Sequence, residues 1–209
     1  MPSVHWWADP WWVNLLALVP FLVFFYWRRK PLEISGKLLF FAGCFAVAFG
    51  FVEASVVVYL RGALGVLPGI GGTLADVARL SSSLYQQSYT LDQFPKSLMA
   101  VETVREAATM LMLASVAFLS ASRWRDRWAV FLWSFALWDI TYYASLRITT
   151  GWPMSLNDLD VLFLIPVPWT ARVWFPVLVS GLTALAVVLG RMPNLPAMEA
   201  PIASESQNL

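Results

Sequence analysis

Five stretches of the chain are dominated by apolar residues, each bounded by charged or turn-forming ones: about Trp11 to Trp27, Leu38 to Leu60, Ser97 to Ser120, Trp128 to Leu146 and Val173 to Gly190. A helix needs about 20 mainly apolar residues to cross a bilayer, because hydrocarbon offers backbone amides and carbonyls no partner outside the helix. The pattern predicts an all-α integral membrane protein, a bundle of five transmembrane helices in a single domain over residues 1–191. Residues 192–209, with Pro193, Pro196 and Pro201 and a polar ending, read as a flexible tail. The third and fourth stretches are the polar ones.

Cationic residues orient the bundle. Arg28, Arg29, Lys30 and Lys37 lie between the first two spans, Arg123, Arg125 and Arg127 between the third and fourth, and Arg191 after the fifth, so eight of the fourteen lysines and arginines share one side. By the positive-inside rule that side is cytoplasmic, the N-terminus is outside and the tail is inside. Residues 1–10 lack a basic run and no small-residue cleavage site follows the first span, so a retained anchor is expected rather than a removable signal. Trp6, Trp7, Trp11 and Trp12 fall at the outer boundary with Trp152, Trp169 and Trp174, while Trp27, Trp124 and Trp128 fall at the inner one, as interfacial belts do.

Two connections stand out. The outer loop 61–96 opens on a glycine-rich turn, and Leu74, Val77, Leu84 and Tyr85 suit a short amphipathic helix lying on the surface. Between the last two spans, Gly151-Trp-Pro makes a turn and Ser155-Leu-Asn-Asp158 resembles a capping box. A short apolar helix over Asp160 to Ile165 would be too brief to cross, and Pro166 and Pro168 would end it. That describes an interfacial or re-entrant segment lidding the outer face, or equally a Pro-kinked approach to span five.

Composition narrows the chemistry. The chain is 59% hydrophobic and 13% charged, which excludes an ordinary soluble domain. A net charge of +1 without a basic tract gives no reason to expect a nucleic-acid partner. One cysteine, Cys44 in apolar surroundings, makes no internal disulfide and reads as packing; one histidine, His5, supplies neither a zinc triad nor paired haem ligands. No cofactor is predicted.

Charge within the spans carries the functional expectation. A charged side chain at mid-bilayer costs at least about 2.5 kcal/mol, so such residues face protein, water or a ligand. Glu53 precedes Arg61 by 8 residues, Asp139 precedes Arg147 by 8, and Glu102 and Glu106 follow Lys96 by 6 and 10. At about 1.5 Å per residue, all four acids sit roughly 9 to 15 Å below the outer boundary. Glu102, Arg105, Glu106 and Thr109 share one helix face, and Asp139, Tyr142 and Tyr143 share another. Ala42, Ala46 and Gly50 form a small-residue stripe ending one turn before Glu53, which should bring that helix close to a neighbour. Spans two, three and four are thus expected to converge on a polar cluster of Glu53, Glu102, Arg105, Glu106, Asp139, Tyr142 and Tyr143. If Arg61, Arg147 and Arg172 also reach the layer, four arginines balance four acids and the network can simply hold helices in register; otherwise it suits a ligand, an ion or a proton. No metal site is predicted, because neighbouring arginines would oppose a divalent cation.

The stretches Val101-Glu-Thr-Val-Arg-Glu-Ala-Ala-Thr109 and Trp138-Asp-Ile-Thr-Tyr-Tyr-Ala-Ser-Leu-Arg147, with Gly151-Trp-Pro and Leu162-Phe-Leu-Ile-Pro-Val-Pro-Trp169, resemble those of uncharacterised bacterial multi-pass membrane proteins. The resemblance spans the second to fifth crossings and implies a bacterial inner-membrane location, with no activity to carry over. Three functions fit the residues. One is binding or translocation of a small polar or ionic ligand through the cluster, with a homo-oligomer or partner, since five spans without an inverted repeat are few for a transporter. The second is an accessory or scaffold subunit of a membrane complex. The third is an enzyme applying carboxylate acid–base chemistry to a lipid or isoprenoid, although no phosphate loop or aspartate-rich motif accompanies it.

Overall fold

A computed structural model of the chain describes residues 6–63 and 96–191, with only the backbone at 60–63 and at Leu98. The surface helix expected within the 61–96 loop, the tail 192–209 and His5 lie outside the described residues. The fold is mainly helical. A 3-10 helix (Trp11–Leu18) runs into α1 (Val19–Arg29), followed by α2 (Gly36–Ala63), α3 (Lys96–Ser120), α4 (Trp124–Thr150), strands β1 (Leu159–Phe163) and β2 (Trp169–Arg172), and α5 (Trp174–Gly190).

Local chemistry sets these limits. Pro20 stands in the first turn of α1; it has no N–H to donate to Leu16, so the α-helical ladder begins there and the preceding turns close as 3-10. Ser35 caps α2, its hydroxyl accepting from Leu38 N–H at 3.1 Å. Gly151, at φ 76°, takes the left-handed position that ends α4 and donates its N–H to Arg147 O at 3.0 Å.

Helix α4 is the axis of the bundle, packed along α2 and flanked by α5 and α3, while α1 lies against α5. Among the described residues, three helical stretches, Trp11–Arg29, Gly36–Tyr59 and Met99–Ser120, are long and apolar enough to cross a membrane. Helix α4 carries more polar groups because neighbours enclose them: Ser134, Asp139 and Ser145 are all buried. Helix α5 has 17 residues, about 25 Å of length. Apolar side chains do not by themselves hold helices together in lipid; close packing does. The small-residue stripe meets that need, with Ala42, Ala46 and Gly50 all buried. A Cβ on Gly50 would lie 2.7 Å from the Trp138 carbonyl oxygen and 3.0 Å from Thr141 Cβ.

At one end of the bundle the α1–α2 connection docks on the start of α4. Asp126 Oδ1 accepts from Glu33 N–H at 3.2 Å, and Arg123 and Arg125 pair with the Glu33 carboxylate, holding it below the usual carboxylate range. At the other end, β1 and β2 form an antiparallel hairpin with a bulge between Val161 and Phe163. This corrects the all-helical expectation and the short apolar helix over Asp160 to Ile165: the segment is strand, turn and strand. Pro166 and Pro168 sit in the turn, where a missing N–H costs no ladder bond. Asp9 adds to β2 by exchanging backbone hydrogen bonds with Thr170 at 2.8 and 2.7 Å. Asn14 fixes that approach, its amide bonding both N–H and C=O of Ala8 at 2.9 Å.

Replacing Gly50 by alanine is expected to destabilise the protein by about 1–3 kcal/mol, since backbone must shift to admit the methyl group. Gly181, with open space around it, should accept alanine with no loss. Thermal unfolding of the two variants in detergent separates them.

Candidate functional site

Hydrogen bonds join the acids of α2 and α3, while Asp139 of α4 bonds separately to α5. Glu53 on α2 is 5% exposed; its Oε1 accepts from the Thr109 hydroxyl of α3 at 2.7 Å, and its Oε2 pairs with Arg105. Arg105 Nε also donates to Glu102 Oε2 at 2.8 Å, one helical turn away. The guanidinium is therefore shared by two carboxylates. Glu106, on the same face of α3, accepts from Leu164 N–H of the hairpin turn at 2.8 Å. Asp139 on α4 is buried and accepts from the Ser180 hydroxyl of α5 at 2.8 Å. One turn further along α4, the Tyr143 hydroxyl donates to Asp160 Oδ2 of β1 at 2.8 Å.

These groups surround a cavity of about 110 Å³ beneath the hairpin. Glu53, Arg105, Glu106, Asp139, Tyr142 and Tyr143 line it from α2, α3 and α4, Asp160 from β1 and Ser180 from α5; Glu102 reaches it through Arg105. The rest of the wall is mainly apolar, part aromatic and part aliphatic. Phe135 and Phe163 stack with centroids 6.3 Å apart and planes 16° from parallel, and Trp138, Trp169 and Phe175 join aliphatic residues such as Leu162 and Val179 in the wall. The Nε1 of each indole has no hydrogen-bond partner among the described residues.

The predicted arginine balance is not formed by the residues whose side chains are described. Arg147 lies at the last turn of α4, where its Nη1 donates to Pro153 O at 2.9 Å and to Gly151 O. Arg172 donates to Asn157 O and lies over the Trp6 ring, 5.1 Å from its centroid. Neither lines the cavity. The Arg61 side chain lies outside the described residues. Sequence reasoning left Asp160, Ser180, Trp138 and Trp169 out of the cluster. Asp160 opens the short apolar run read as a possible lid, and Ser180 is a polar residue within the otherwise apolar span five, so both carried a signal.

Chemically, the cavity presents the carboxylates of Glu106, Asp139 and Asp160, each held by a neutral donor, beside the Glu53–Arg105 pair. Among the described residues, no group of three or more carboxylate, histidine or cysteine side chains converges in a way that would hold a metal ion. Comparison with family models, curated proteins and solved structures finds no match to the chain.

Changing Arg105 to methionine leaves Glu53 and Glu102 without their shared cation and is expected to cost about 3–5 kcal/mol of stability. Adding Glu53→Gln should restore part of that loss, a non-additivity measurable by thermal unfolding of the two single variants and the double variant.

Proposed function

We propose that this chain is a five-span protein of the bacterial inner membrane, with its N-terminus outside, that binds or moves a small polar or ionic ligand through the cavity under the hairpin. The observation carrying this reading is the surplus of acid around an internal space. Glu53, Glu106, Asp139 and Asp160 line it, while Arg105 is already held by two carboxylates. A purely structural network would be expected to neutralise its own charges, because buried ions left over cost several kcal/mol each.

Support for the membrane comes from the three membrane-length helices and from large apolar side chains turned outward, among them Phe21, Phe25, Phe40, Phe41 and Leu111. The hairpin lies opposite the arginine-rich connections, and the positive-inside rule makes it extracytoplasmic. Arg147, Arg172 and several tryptophans then stand at the outer headgroup level, which suits both residue types. The polar α4 fits a crossing enclosed by its neighbours, and α5 extends into β2, which completes the outer boundary.

Topology is testable with Cys44→Ser as a cysteine-free background. A cysteine at Ser155 should react with an impermeant maleimide from outside intact cells, and one at Ser122 only after permeabilisation; the reverse pattern refutes the orientation. For the site, the protein in lipid nanodiscs should be stabilised by at least one of a panel of small charged solutes: alkali cations, simple ammonium ions, carboxylates or phosphate. Saturating ligand at about 100 times its Kd adds about 2.7 kcal/mol. Asp139→Asn with Glu106→Gln should stay folded and lose the effect. A panel without any shift, or a shift the double variant keeps, would reject a ligand site among these acids.

A further inference from the structure

A groove of about 400 Å³ lies between α3 and α4, at the arginine-rich end of the bundle. Helix α3 contributes Ala107, Ala114 and Phe118 to it, and α4 contributes Trp124, Arg127 and Trp128. The two alanines have short side chains that leave the space open. Phe118, Trp124 and Trp128 are exposed, so the groove opens on the outside of the bundle, apart from the cavity under the hairpin.

Its length matches one leaflet. Phe118 and Ala107 are 11 residues apart on α3, about 16 Å of helix, and half of a hydrocarbon core of about 30 Å is about 15 Å. Trp124 and Trp128 mark the headgroup level at the connection between the helices, as interfacial tryptophans do, and the groove runs from there toward the bilayer midplane.

A cation stands at the headgroup end. Arg127 Nε donates to Ala121 O, just past the end of α3, at 2.7 Å, and the guanidinium lies 5.0 Å from the Phe118 ring centroid and 5.7 Å from that of Trp124. A carbonyl and two rings thus hold it in place. Its Nη atoms meet no acceptor and no carboxylate among the described residues, whereas its neighbours Arg123 and Arg125 both pair with Glu33. A positioned guanidinium with spare N–H groups matches phosphate oxygens. The surroundings add to this preference: four lysines and arginines in 28–37 and three in 121–127 stand against Glu33 and Asp126, an excess that favours a headgroup of net negative charge. A twofold-related copy of the chain seated here would enclose two Arg127 side chains with no acid from the groove. A lipid brings the apolar chain and the counter-charge together.

We infer that this groove binds an anionic phospholipid, one acyl chain lying between α3 and α4 and the phosphate on Arg127. The site rests on the membrane setting alone and not on what the cavity binds, whose test uses soluble ions.

The whole protein in a neutral detergent is titrated with dioleoyl phosphatidylglycerol or with the phosphatidylcholine of the same chains, and bound lipids are counted by native mass spectrometry. The first phosphatidylglycerol should bind at least tenfold more tightly than the first phosphatidylcholine, and a tenfold excess of glycerol 3-phosphate, which has no chains, should not displace it. Arg127→Gln should weaken phosphatidylglycerol at least fivefold and phosphatidylcholine less than twofold. Arg29→Gln, which removes an equal charge at the end of α1, should change neither more than twofold. Ala114→Phe, or Ala107→Phe should the first fail to fold, fills the groove and should weaken phosphatidylglycerol at least fivefold. Equal affinities for the two lipids, or equal losses in Arg127→Gln and Arg29→Gln, reduce the effect to diffuse charge and overturn the site. Displacement by glycerol 3-phosphate overturns the lipid in favour of a free phosphate. A dimer that Ala114→Phe splits into monomers gives the groove to a second copy and overturns the lipid equally.

Discussion

The placement of Arg105 between Glu53 and Glu102 is the interaction on which the arrangement depends. Helix α3 is the least enclosed of the long helices, with Val104, Leu111 and Leu119 facing outward. It touches α2 sparingly, and at that contact Arg105 and Thr109 both engage Glu53. Inside a bilayer such a pairing is strong because the alternative, a charge in hydrocarbon, is costly. It also sets the register of α3: a rotation that removed Arg105 from Glu53 would carry Glu106 away from Leu164 and open the cavity wall.

The hairpin is the second element the acids organise. Its turn is held by a carboxylate of α3 and its first strand by the Tyr143 hydroxyl of α4, so it is attached to two different helices through the chemistry it encloses. Aromatic packing fills the remaining contact, Phe163 lying against Phe135, Trp138 and Trp169. Burial of these rings supplies attraction without direction, whereas the two polar contacts select a position.

Much of this was legible in the chain. Helix limits lie within a few residues of the apolar stretches, since long apolar runs without breakers satisfy their backbone groups internally as helix. Counting residues at a constant rise groups Glu53, Glu106 and Asp139, which line one cavity, and the stripe of Ala42, Ala46 and Gly50 marks a close helix approach that the structure contains. Arg147, the residue from which the depth of Asp139 is counted, stays out of the cavity, because the carbonyls of Gly151 and Pro153 just past the end of α4 hold its guanidinium. The hairpin was hidden because its strands have only five and four residues. A short apolar run reads equally as strand or helix, and pairing with a strand across a proline turn is not a local property. Asp160 and Ser180 needed partners from other elements to show what they do.

The backbone bridge between Asp9 and Thr170 ties the leading segment of the chain to a strand some 160 residues later. The first helix and the roof of the cavity are consequently one mechanical unit, braced by Asn14. Tilting the roof upward must either break both bonds of that bridge or drag the leading segment along. Parting the roof from α3 means giving up the Glu106 contact with Leu164 and leaves the bridge whole. The roof is therefore held by two backbone bonds at the leading segment and by a single side-chain contact at α3.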